Sequence, residues 1–557
     1  MDQVNVYMGA DRMITALGAT TRDTFQAIQS GTLGVSAVND PSLSMQPLVA
    51  GRIDRSGVEH ITGHTFLEDL LHAAVGSVLS EAQLDPKEVQ LVVATTKGNI
   101  EALAEDLAPD ERCFISEGIE RFARELGFAA KPITISNACI SGLVALIVAR
   151  RMILAEKCHH VVVAGVDTLS EFVVAGFQSF KSVSAKVCRP YDRSRDGLSL
   201  GEACGAVLLT DDPARAKAGA VRIAGGAMTE DANHLSAPSR TGEELAEAML
   251  QAITEAGLTA EDIDLVNAHG TATAYNDEME SKAIAVAGLL DKPLNSLKPY
   301  LGHTLGASGV VEAILSAEEL RHGVGFATPG FEECGVPHAV NVSSEHRRGD
   351  FRTALKSGSG FGGCNAAVVL TRLDRNVPNV AQNRKVRCTA TYELHGAGDF
   401  AERIRQEYRA LAQPNMRFFK MDDLEKLGYV AAENLLRGRN LSEEYGAFRV
   451  GIILANRSAS LSTDIRHQEV VNAHPEEGAS PAIFVYTLPN IVAGELSIRH
   501  KIKGESIFFI DSDPAHPFAE GYAHALIASG RLDAVVEGWC EYLNGTYCVH
   551  INILEKQ

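Results

Sequence analysis

A cysteine stands where a strand-like part of the chain gives way to a helix-like part. In ITISNACISGLVAL, residues 133–146, a β-branched run ends at Ser136, and Cys139 follows just before an apolar segment. A thiol at the start of a helix lies at the positive end of the helix dipole, beside free N–H groups, which favours the thiolate and lowers the thiol pKa. Free cysteines are also common as small buried residues, so this stretch alone leaves a nucleophile and a packing residue both open.

Two histidines lie in turns made of small residues. His269 follows a strand-like run in VNAHGTATAYNDEMESKA, and His303 lies between Gly302 and Thr304 in NSLKPYLGHTLGASGVVEA. Such turns let an imidazole point into a site instead of packing in a core. Any one of the 18 histidines of this chain is most simply a core or surface residue. Two of them in such turns, together with the cysteine, favour a catalytic group of three.

Two other motifs carry weaker signals. SGSGFGGCNAAVVL is a Gly-rich loop in which Phe361 is the only bulky side chain. It lacks the lysine and serine of a phosphate-binding loop, so a flexible turn is the alternative interpretation. RPYDRSRDGLSLGEACGAVLL is a hairpin-like stretch whose charges we interpret as a structural ion-pair network, formed by Asp192, Arg193, Arg195, Asp196 and Glu202.

The elements that must position these residues indicate an α/β fold. Apolar, non-alternating strands are predicted at 91–96, 133–136, 160–166, 205–210 and 263–268, with helices at 243–256 and 278–290 between them. Strands of this kind belong to sheets covered on both faces. Residues 139–157 are apolar nearly all round as far as Arg150, which predicts a helix buried between two sheets. Such a helix needs more layers than a simple doubly wound fold supplies.

A second unit is predicted beyond the polar stretch DRNVPNVAQNRK, residues 374–385, because 557 residues exceed one ordinary core. Strands are predicted there at 450–455 and 483–486, and a helix at 491–500. A faint repeat relates residues 149–172 to 523–543. The same alignment sets ITISNACISGLVAL opposite IFVYTLPNIVAGEL, so that Pro489 or Asn490 replaces the thiol. The last 180 or so residues therefore look like a half-copy that lacks the nucleophile.

Composition narrows the class of protein. A net charge of −20 disfavours nonspecific nucleic-acid binding, and 45% hydrophobic with 22% charged residues is typical of a globular protein. We expect no membrane span, because no run offers the ~20 apolar residues it needs, and we see no signal peptide. Ten cysteines without C-x-x-C pairs predict reduced thiols and a cytoplasmic protein. Neither a metal-ligand cluster nor a dinucleotide-binding fingerprint is visible, so we expect no cofactor and no metal.

Taken in order, these five motifs resemble the β-ketoacyl-acyl carrier protein synthases over residues 1–373. The resemblance implies the thiolase-like five-layer α-β-α-β-α sandwich, made of two similar halves at 1–212 and 213–375. It also implies that residues 386–557 are an unusual addition, a smaller α/β unit resembling a degenerate half-synthase. We call residues 386–557 the appendage. It could pack on the catalytic unit or replace a partner subunit such as a chain-length factor.

The resemblance also assigns roles to residues. Cys139 matches the acyl-accepting nucleophile, and His269 and His303 match the pair that drives malonyl decarboxylation. Phe361 matches the gate, whose N–H joins that of Cys139 as the oxyanion hole. The remaining matches are supporting or substrate-binding positions: Lys298 and Glu312 beside the histidines, Thr271 and Thr273 for the pantetheine arm, and Gly360 and Gly362 for substrate binding.

The implied activity is that of a 3-oxoacyl-acyl carrier protein synthase, which joins malonyl-carrier to an acyl-cysteine with loss of CO₂ in fatty acid or polyketide chain elongation. The implied partner is an acyl carrier protein bearing phosphopantetheine-linked acyl and malonyl groups. Family members pair as dimers, so we expect a homodimer or a heteromer with another synthase-like subunit. The stretch 61–71 lacks basic residues that often meet a carrier, so docking is assigned to one or more of Lys131, Arg150, Arg151, Lys181 and Lys186.

Three alternatives stay open. A non-catalytic, chain-length-factor-like subunit would keep the fold, but such partners usually lack the cysteine. A thiolase typically carries a second catalytic cysteine in a CxG motif, whereas Cys364 is followed by Asn365 and Ala366. A carrier-binding scaffold would form no acyl-enzyme, which a mass measurement detects.

Overall fold

The computed structural model describes residues 4–105, 107, 111–374, 383–411, 415–474 and 478–557. Most of the predicted boundary at 374–385 lies outside these residues. Within the described parts, no single helix is long and apolar enough to cross a membrane. The helical segments Pro481–Thr487 and Ile491–His500 reach that length only as a pair, and the pair is bent by 99°.

One 15-stranded sheet runs through the described chain, in the order β11-β10-β14-β15-β9-β1-β8-β6-β4-β5-β18-β17-β19-β20-β16. Small sheets form from β2, β3 and β7 and from β12 and β13. The strands before the appendage are β1 (Tyr7–Ile14), β2 (Val35–Val38), β3 (Leu48–Gly51), β4 (Gln90–Ala94), β5 (Ile133–Ile135), β6 (His160–Asp167), β7 (Leu200–Gly201), β8 (Ala203–Thr210), β9 (Arg222–Glu230), β10 (Leu265–Asn267), β11 (Leu294–Asn295), β12 (Val324–Gly325), β13 (Arg347–Arg348), β14 (Thr353–Gly360) and β15 (Cys364–Thr371).

The helices before the appendage surround and separate two groups of five strands. They are α1 (Thr21–Gln29), α2 (Phe66–Ala82), α3 (Glu101–Glu105), α4 (Ile115–Glu125), α5 (Ser141–Leu154), α6 (Glu171–Ser179), α7 (Glu243–Glu255), α8 (Ala274–Val286), α9 (Lys298–Leu301) and α10 (Ser308–His322). Helix α2 covers β1, β8 and β6, α7 covers β9 and β15, and α5 and α10 lie between the two groups. These layers are α-β-α-β-α, so the predicted thiolase-like fold class is confirmed.

Helices α5 and α10 form the buried centre of this sandwich. Every residue of α5 from Ser141 to Arg150 is buried, as the apolar sequence predicts. The two helices approach closely because Gly142 lacks a side chain: a Cβ there would lie 2.8 Å from the backbone nitrogen of Val310 in α10. The α5 segment therefore fixes both the sandwich core and the position of the residues just before it.

The appendage continues the sheet with five more strands: β16 (Val386–Ala397), β17 (Val450–Asn456), β18 (Ser506–Ile510), β19 (Ala534–Leu543) and β20 (Thr546–Lys556). Its helices are α11 (Phe400–Arg409), α12 (Asp423–Leu436), α13 (Leu441–Tyr445), α14 (Leu461–Ala473), α15 (Pro481–Phe484), α16 (Ile491–His500) and α17 (Pro517–Ala528). Its strand order, β16-β20-β19-β17-β18, repeats the order β1-β8-β6-β4-β5 of the first half with the same strand directions. The two copies meet where β5 pairs antiparallel with β18.

The predicted alignment of the repeat is half right. The helix and strand at 523–543 do match those at 149–172, as α17 and β19 match α5 and β6. The counterpart of β5, however, is β18 and not residues 483–486, which form helix α15 and a 3₁₀ turn instead of the predicted strand. Cys139 lies four residues beyond β5 and two before α5, and the corresponding positions between β18 and α17 are Pro514 and Ala515, neither of which carries a thiol. The expectation of Pro489 or Asn490 there is wrong, because apolar periodicity alone does not fix which strand pairs.

Candidate active site

Cys139 lies in a 3₁₀ turn, Ala138–Ile140, between β5 and α5. Ala138 has a φ of +47°, a left-handed conformation that turns the chain sharply before the helix. The backbone N–H of Phe361, which the loop after β14 brings beside the thiol, and the N–H of Cys139 itself both lie close enough to lower the pKa of the thiol. Two backbone N–H groups beside the attacking sulfur can also donate to the oxygen of a thioester bound there, and such a pair of donors stabilises an oxyanion.

The pKa of Cys139 is raised, whereas the sequence predicted that it would be lowered. Burial raises it to about 12, against the lowering effects of Lys298 and of the two N–H donors. Asp167 adds to the rise. The predicted low pKa is therefore wrong for the unliganded protein, because desolvation of the thiolate outweighs the local dipoles. A base must take the thiol proton when the sulfur attacks.

The two histidines face each other in the same cavity as the thiol. The His269 and His303 rings lie 5.2 Å apart between centroids, at 87° to each other. Burial, then the charge of Lys298, lowers the pKa of both well below 6.5, so both imidazoles are neutral at neutral pH. Each ring can thus accept a proton or donate one N–H. The structure brings together the three residues that the sequence separates by up to 164 positions (303 − 139).

Glu280 holds the His269 turn, and the sequence analysis did not single it out. Its carboxylate accepts the backbone N–H of His269 at 2.7 Å and that of Gly270 at 2.8 Å. The hydroxyl of Tyr191 donates to it at 2.6 Å. The sequence AHGTATAYNDEME does contain an indication of this contact. Glu280 lies in the second turn of α8, where its side chain can reach back to the loop that holds His269.

A buried carboxylate between two lysines lies beneath the histidines. Glu312 accepts from Lys298 Nζ at 3.0 Å and pairs with Lys356 through its other oxygen. Burial alone would raise the pKa of Glu312, but the two ammonium groups outweigh it and the pKa is lowered. Lys298 and Glu312 thus lie together, as their predicted shared role requires. Lys356 is an additional member that sequence reasoning missed, because LKSG resembles an ordinary strand end.

The Phe361 loop closes one side of the cavity. Its ring stacks with that of Phe177, 6.0 Å away, and packs against that of Phe180, 5.5 Å away. Gly360 lines the cavity, and a Cβ there would lie 3.0 Å from Cys364 Sγ and 3.2 Å from the Cys139 nitrogen. Gly362 does not line it: it faces Asn490 of the appendage instead.

The cavity opens past the side chains expected to bind pantetheine. Its volume is about 310 Å³. Thr271 and Thr273 line it, with their hydroxyl oxygens 2.9 Å apart. Tyr275, 75% exposed, stands at the mouth. The dimensions and the hydroxyl groups suit a narrow polar arm that delivers an acyl group to the sulfur.

A second, apolar cavity lies on the other side of Cys139, towards the appendage. It is small, about 20 Å³, and Phe484 and Leu488 of the appendage line it together with Leu305, Val173 and Phe361. The Phe484 ring fills the space beside Gly176, where a Cβ would come within 2.2 Å of it. The appendage therefore forms one wall of the space next to the thiol.

The charged residues of the predicted ion-pair network serve other parts of the fold instead of one another. Asp192 accepts the backbone N–H groups of Glu332 and Glu333, at 2.7 and 2.9 Å. Glu202 accepts those of Ile53 and Leu169, at 2.9 and 3.0 Å. Arg193 pairs with Glu333 at 2.8 Å, and Arg195 lies 3.7 Å from Glu278. The set is therefore structural, as expected, but its ion pairs are with residues outside the set and its carboxylates accept from backbone N–H groups.

Three of the five residues assigned to carrier docking are unsuitable. Arg150 is buried and pairs with Glu255, and Arg151 pairs with Glu505 of the appendage. Lys131 pairs with Asp511 of the appendage and with Glu120. Lys181 and Lys186 are exposed and flank the cavity-lining Ser182.

The fold and the site define a thiolase-like α/β protein with a cysteine and two histidines in one cavity. Residues 69–214 match the family model described as Beta-ketoacyl synthase, N-terminal domain, and residues 220–332 match that of the C-terminal domain. Residues 69–214 and 220–332 are therefore similar to the two domains of a β-ketoacyl synthase, as the motifs predicted.

Two curated relatives illustrate the likeness. The 3-oxoacyl-[acyl-carrier-protein] synthase 2 of Mycobacterium leprae (strain TN) is 37% identical over 267 residues, which are 45% of this chain and 62% of that protein. The Tetracenomycin polyketide synthase ketoacyl synthase alpha subunit of Streptomyces glaucescens is 35% identical over 262 residues, which are 44% of this chain and 61% of that protein. The chain thus spans about three fifths of the length of these relatives.

Solved structures extend the likeness to the appendage. A ketosynthase (ApeO) in complex with its chain length factor (ApeC), from Xenorhabdus doucetiae, superposes with a TM-score of 0.61 at 26% identity, over 66% of this chain and 98% of that one. The PfaC Keto synthase-Chain length factor superposes with a TM-score of 0.80 at 15% identity, over 99% of this chain and 78% of that one. At that identity the second match supports the fold alone, but it covers the appendage as well.

Proposed function

We propose that this chain is a 3-oxoacyl-acyl carrier protein synthase that elongates fatty acid or polyketide chains. The observation that carries the proposal is one cavity lined by Cys139, His269 and His303, with two backbone N–H donors at the sulfur. The two matched domain models and the curated relatives support the same activity.

In the first half-reaction the thiol takes the acyl group. A neutral imidazole of the cavity accepts the Cys139 proton, and the sulfur attacks the thioester carbon of acyl-carrier. The N–H groups of Cys139 and Phe361 stabilise the oxyanion. The carrier thiolate leaves and takes up the proton, which leaves an acyl-Cys139 thioester and a neutral imidazole.

In the second half-reaction malonyl-carrier enters the same cavity. Its carbon–carboxylate bond breaks, CO₂ leaves, and the electron pair passes to the thioester oxygen. His269 and His303, both neutral, donate N–H hydrogen bonds to that enolate oxygen. The enolate carbon then attacks the acyl carbon, the Cys139 sulfur leaves as a thiolate and takes a proton from water, and 3-oxoacyl-carrier is released.

In this proposal the appendage takes the place of a partner subunit. Its strand β18 occupies the β5 edge, so a second copy is not needed there. Phe484 limits the acyl group at the end of the apolar cavity beside the sulfur. The appendage thus acts in the manner of a chain-length factor, and a single chain forms the working unit.

An acyl carrier protein is the proposed partner, docked at the mouth beside Thr271 and Thr273. Lys181 and Lys186 supply positive charge there for an acidic carrier. The proposed compartment is the cytoplasm, where reduced thiols persist.

The test is intact-mass analysis of the purified protein after incubation with acyl-carrier. Wild type should gain one acyl group and, with malonyl-carrier added, release 3-oxoacyl-carrier. The Cys139→Ala variant should gain no acyl group. Wild type that stays unmodified by a ladder of acyl-carriers would contradict the proposal and leave a carrier-binding scaffold in its place.

A further inference from the structure

Asn490, from the appendage, contacts the gate loop directly. It stands just before α16, is 2% exposed, and donates from Nδ2 to the backbone carbonyl of Phe361 at 2.8 Å. Its Oδ1 atom is buried without a hydrogen-bond partner among the described residues. Nδ2 also lies 3.8 Å from Cys364 Sγ, so both contacts of this amide group with described residues reach across the boundary between the appendage and the catalytic unit.

Glycines on both sides make this approach possible. Gly362 has a φ of +98°, and a Cβ there would lie 2.6 Å from Asn490 Nδ2. A Cβ on Gly494, in the first turn of α16, would lie 2.6 Å from the Gly362 carbonyl oxygen. Backbone therefore packs on backbone, and the Asn490 amide closes the contact. Glycine adopts many backbone conformations, so a loop that contains Gly360, Gly362 and Gly363 depends on such contacts to keep one conformation.

The contact between Asn490 and Phe361 affects the surroundings of the Cys139 sulfur, because Phe361 lies next to both residues. Phe361 presents its N–H to Cys139 and its carbonyl to Asn490, so its two backbone groups are held from opposite sides. Phe177 and Phe180 pack against its ring, and within the catalytic unit its carbonyl accepts a weaker bond from the Cys364 thiol, at 3.4 Å, while the next N–H, of Gly362, donates to the Leu235 carbonyl at 2.7 Å. Asn490 adds the shorter bond to the Phe361 carbonyl, and it does so from the appendage. A donor aimed at an oxyanion is effective only when it is held before the reaction begins.

We propose that Asn490 is a positioning residue of the condensing site, which the appendage contributes to hold the Phe361 loop closed over Cys139. The role rests on the proposed function where it concerns the oxyanion. The closure of the loop over the thiol is independent of it. The catalytic unit is accordingly incomplete without the appendage, even though no appendage side chain attacks or protonates a substrate.

Three variants of the full-length protein test this role. Asn490→Ala removes the amide, and Asn490→Asp keeps its size but replaces the donor with an oxygen that faces the Phe361 carbonyl. Asn456→Ala is the matched control, because Asn456 is equally buried in the appendage and bonds only within its own turn, to Ala459. Thermal melting reports whether each variant is folded.

Two readouts separate the positioning role from the enzyme's function. Alkylation of Cys139 by a bulky maleimide at pH 8, followed by peptide mass mapping, needs no carrier. We expect it to rise several-fold in both Asn490 variants and not in the control. In single-turnover acyl transfer, loss of an oxyanion donor lowers the rate ~10²–10³-fold, so we expect a fall of ~10–100-fold from a loosened donor, with KM for acyl-carrier unchanged.

The results for the two Asn490 variants decide whether this residue holds the Phe361 loop. Wild-type alkylation and acyl transfer in both Asn490 variants would overturn the proposal. So would an Asn490→Asp variant that behaves as wild type while Asn490→Ala fails, because size and not the donor would then matter. If one variant does not fold, the other decides. If wild type takes no acyl group at all, the proposed function fails, and the alkylation readout still decides whether Asn490 closes the loop.

Discussion

Phe508 donates its backbone N–H to the side-chain oxygen of Asn137 at 2.6 Å. The same side chain donates from Nδ2 to the carbonyl of Ser506 at 3.0 Å. Asn137 lies two residues before Cys139, so one amide extends the pairing of β5 with β18 into the turn that carries the thiol. The appendage and the nucleophile turn therefore share one hydrogen-bond ladder.

Deleting the appendage together with residues 375–385 should destroy the site. Lys97 is buried, and its ammonium donates to Asp464, Ser460 and the carbonyl of Thr487, all in the appendage. Breaking a buried ion pair by removing one partner costs about 3–5 kcal/mol, and the β5 edge would be exposed as well. We expect residues 1–374 alone to aggregate or to form no acyl-enzyme, as measured by size-exclusion chromatography and intact mass.

Co-expression is the control for that deletion. Residues 1–374 and 383–557, produced as two chains, should copurify and recover acyl-enzyme formation, because sheet pairing and not the connection holds them together. In light scattering the intact protein should have the mass of one chain, 59.6 kDa. Full activity, unaltered product length and an unaltered assembly state in the deletion variant would contradict a role for the appendage.

Phe484 should set the longest acyl group accepted. Its ring occupies the space beside Gly176 at the apolar cavity next to Cys139. Phe484→Ala should lengthen the preferred acyl-carrier by several carbons, and Gly176→Ala should shift that ring and shorten it. Tyr486→Phe is the control, since Tyr486 is buried nearby but lines neither cavity beside Cys139. A chain-length ladder read by mass spectrometry decides, and an unchanged ladder in both variants would rule out this role.

Glu312→Gln should impair folding and decarboxylation together. It leaves the buried ammonium groups of Lys298 and Lys356 without their shared carboxylate. Since the loss of one partner from a buried pair costs about 3–5 kcal/mol, the melting temperature should fall by several degrees. Lys356→Met removes one of the two charges and keeps the Lys298–Glu312 pair, so we expect a smaller loss. Equal melting temperatures for Glu312→Gln and wild type would contradict this assignment.

The pH dependence of malonyl decarboxylation should follow the histidines. Because burial and Lys298 lower the pKa of His269 and His303 well below 6.5, both stay neutral as the pH falls to 6.5. We expect CO₂ release to be flat between pH 6.5 and 8 with respect to these groups and to fall only at lower pH, when an imidazole gains a proton.

The Lys298→Met variant should shift the pH profile of decarboxylation. Removing the positive charge should raise the pKa of both imidazoles and move the acid limb to higher pH. The Cys139→Ala background isolates decarboxylation from acyl transfer, because the thiol takes no part in CO₂ loss. An acid limb that stays in place or moves to lower pH would show that Lys298 does not act on the histidines.

Elements with a strong local signal could be predicted from the amino-acid sequence. The apolar run after Cys139 predicted a helix buried on all sides, and α5 is buried along most of its length, because a helix without a polar face cannot lie at a surface. Small-residue turns around His269 and His303 predicted side chains that point into a site, and both rings line one cavity.

Tertiary structure alone decided the rest. The pKa of Cys139 depends on how much water the closed cavity excludes, which no local pattern encodes. The partner of β5 is β18, because strand pairing joins residues more than 370 positions apart, and periodicity assigns that pairing equally well to the wrong segment. The roles of Lys356 and Glu280, and the contact of Asn490 with Phe361, exist only where distant chain segments pack together.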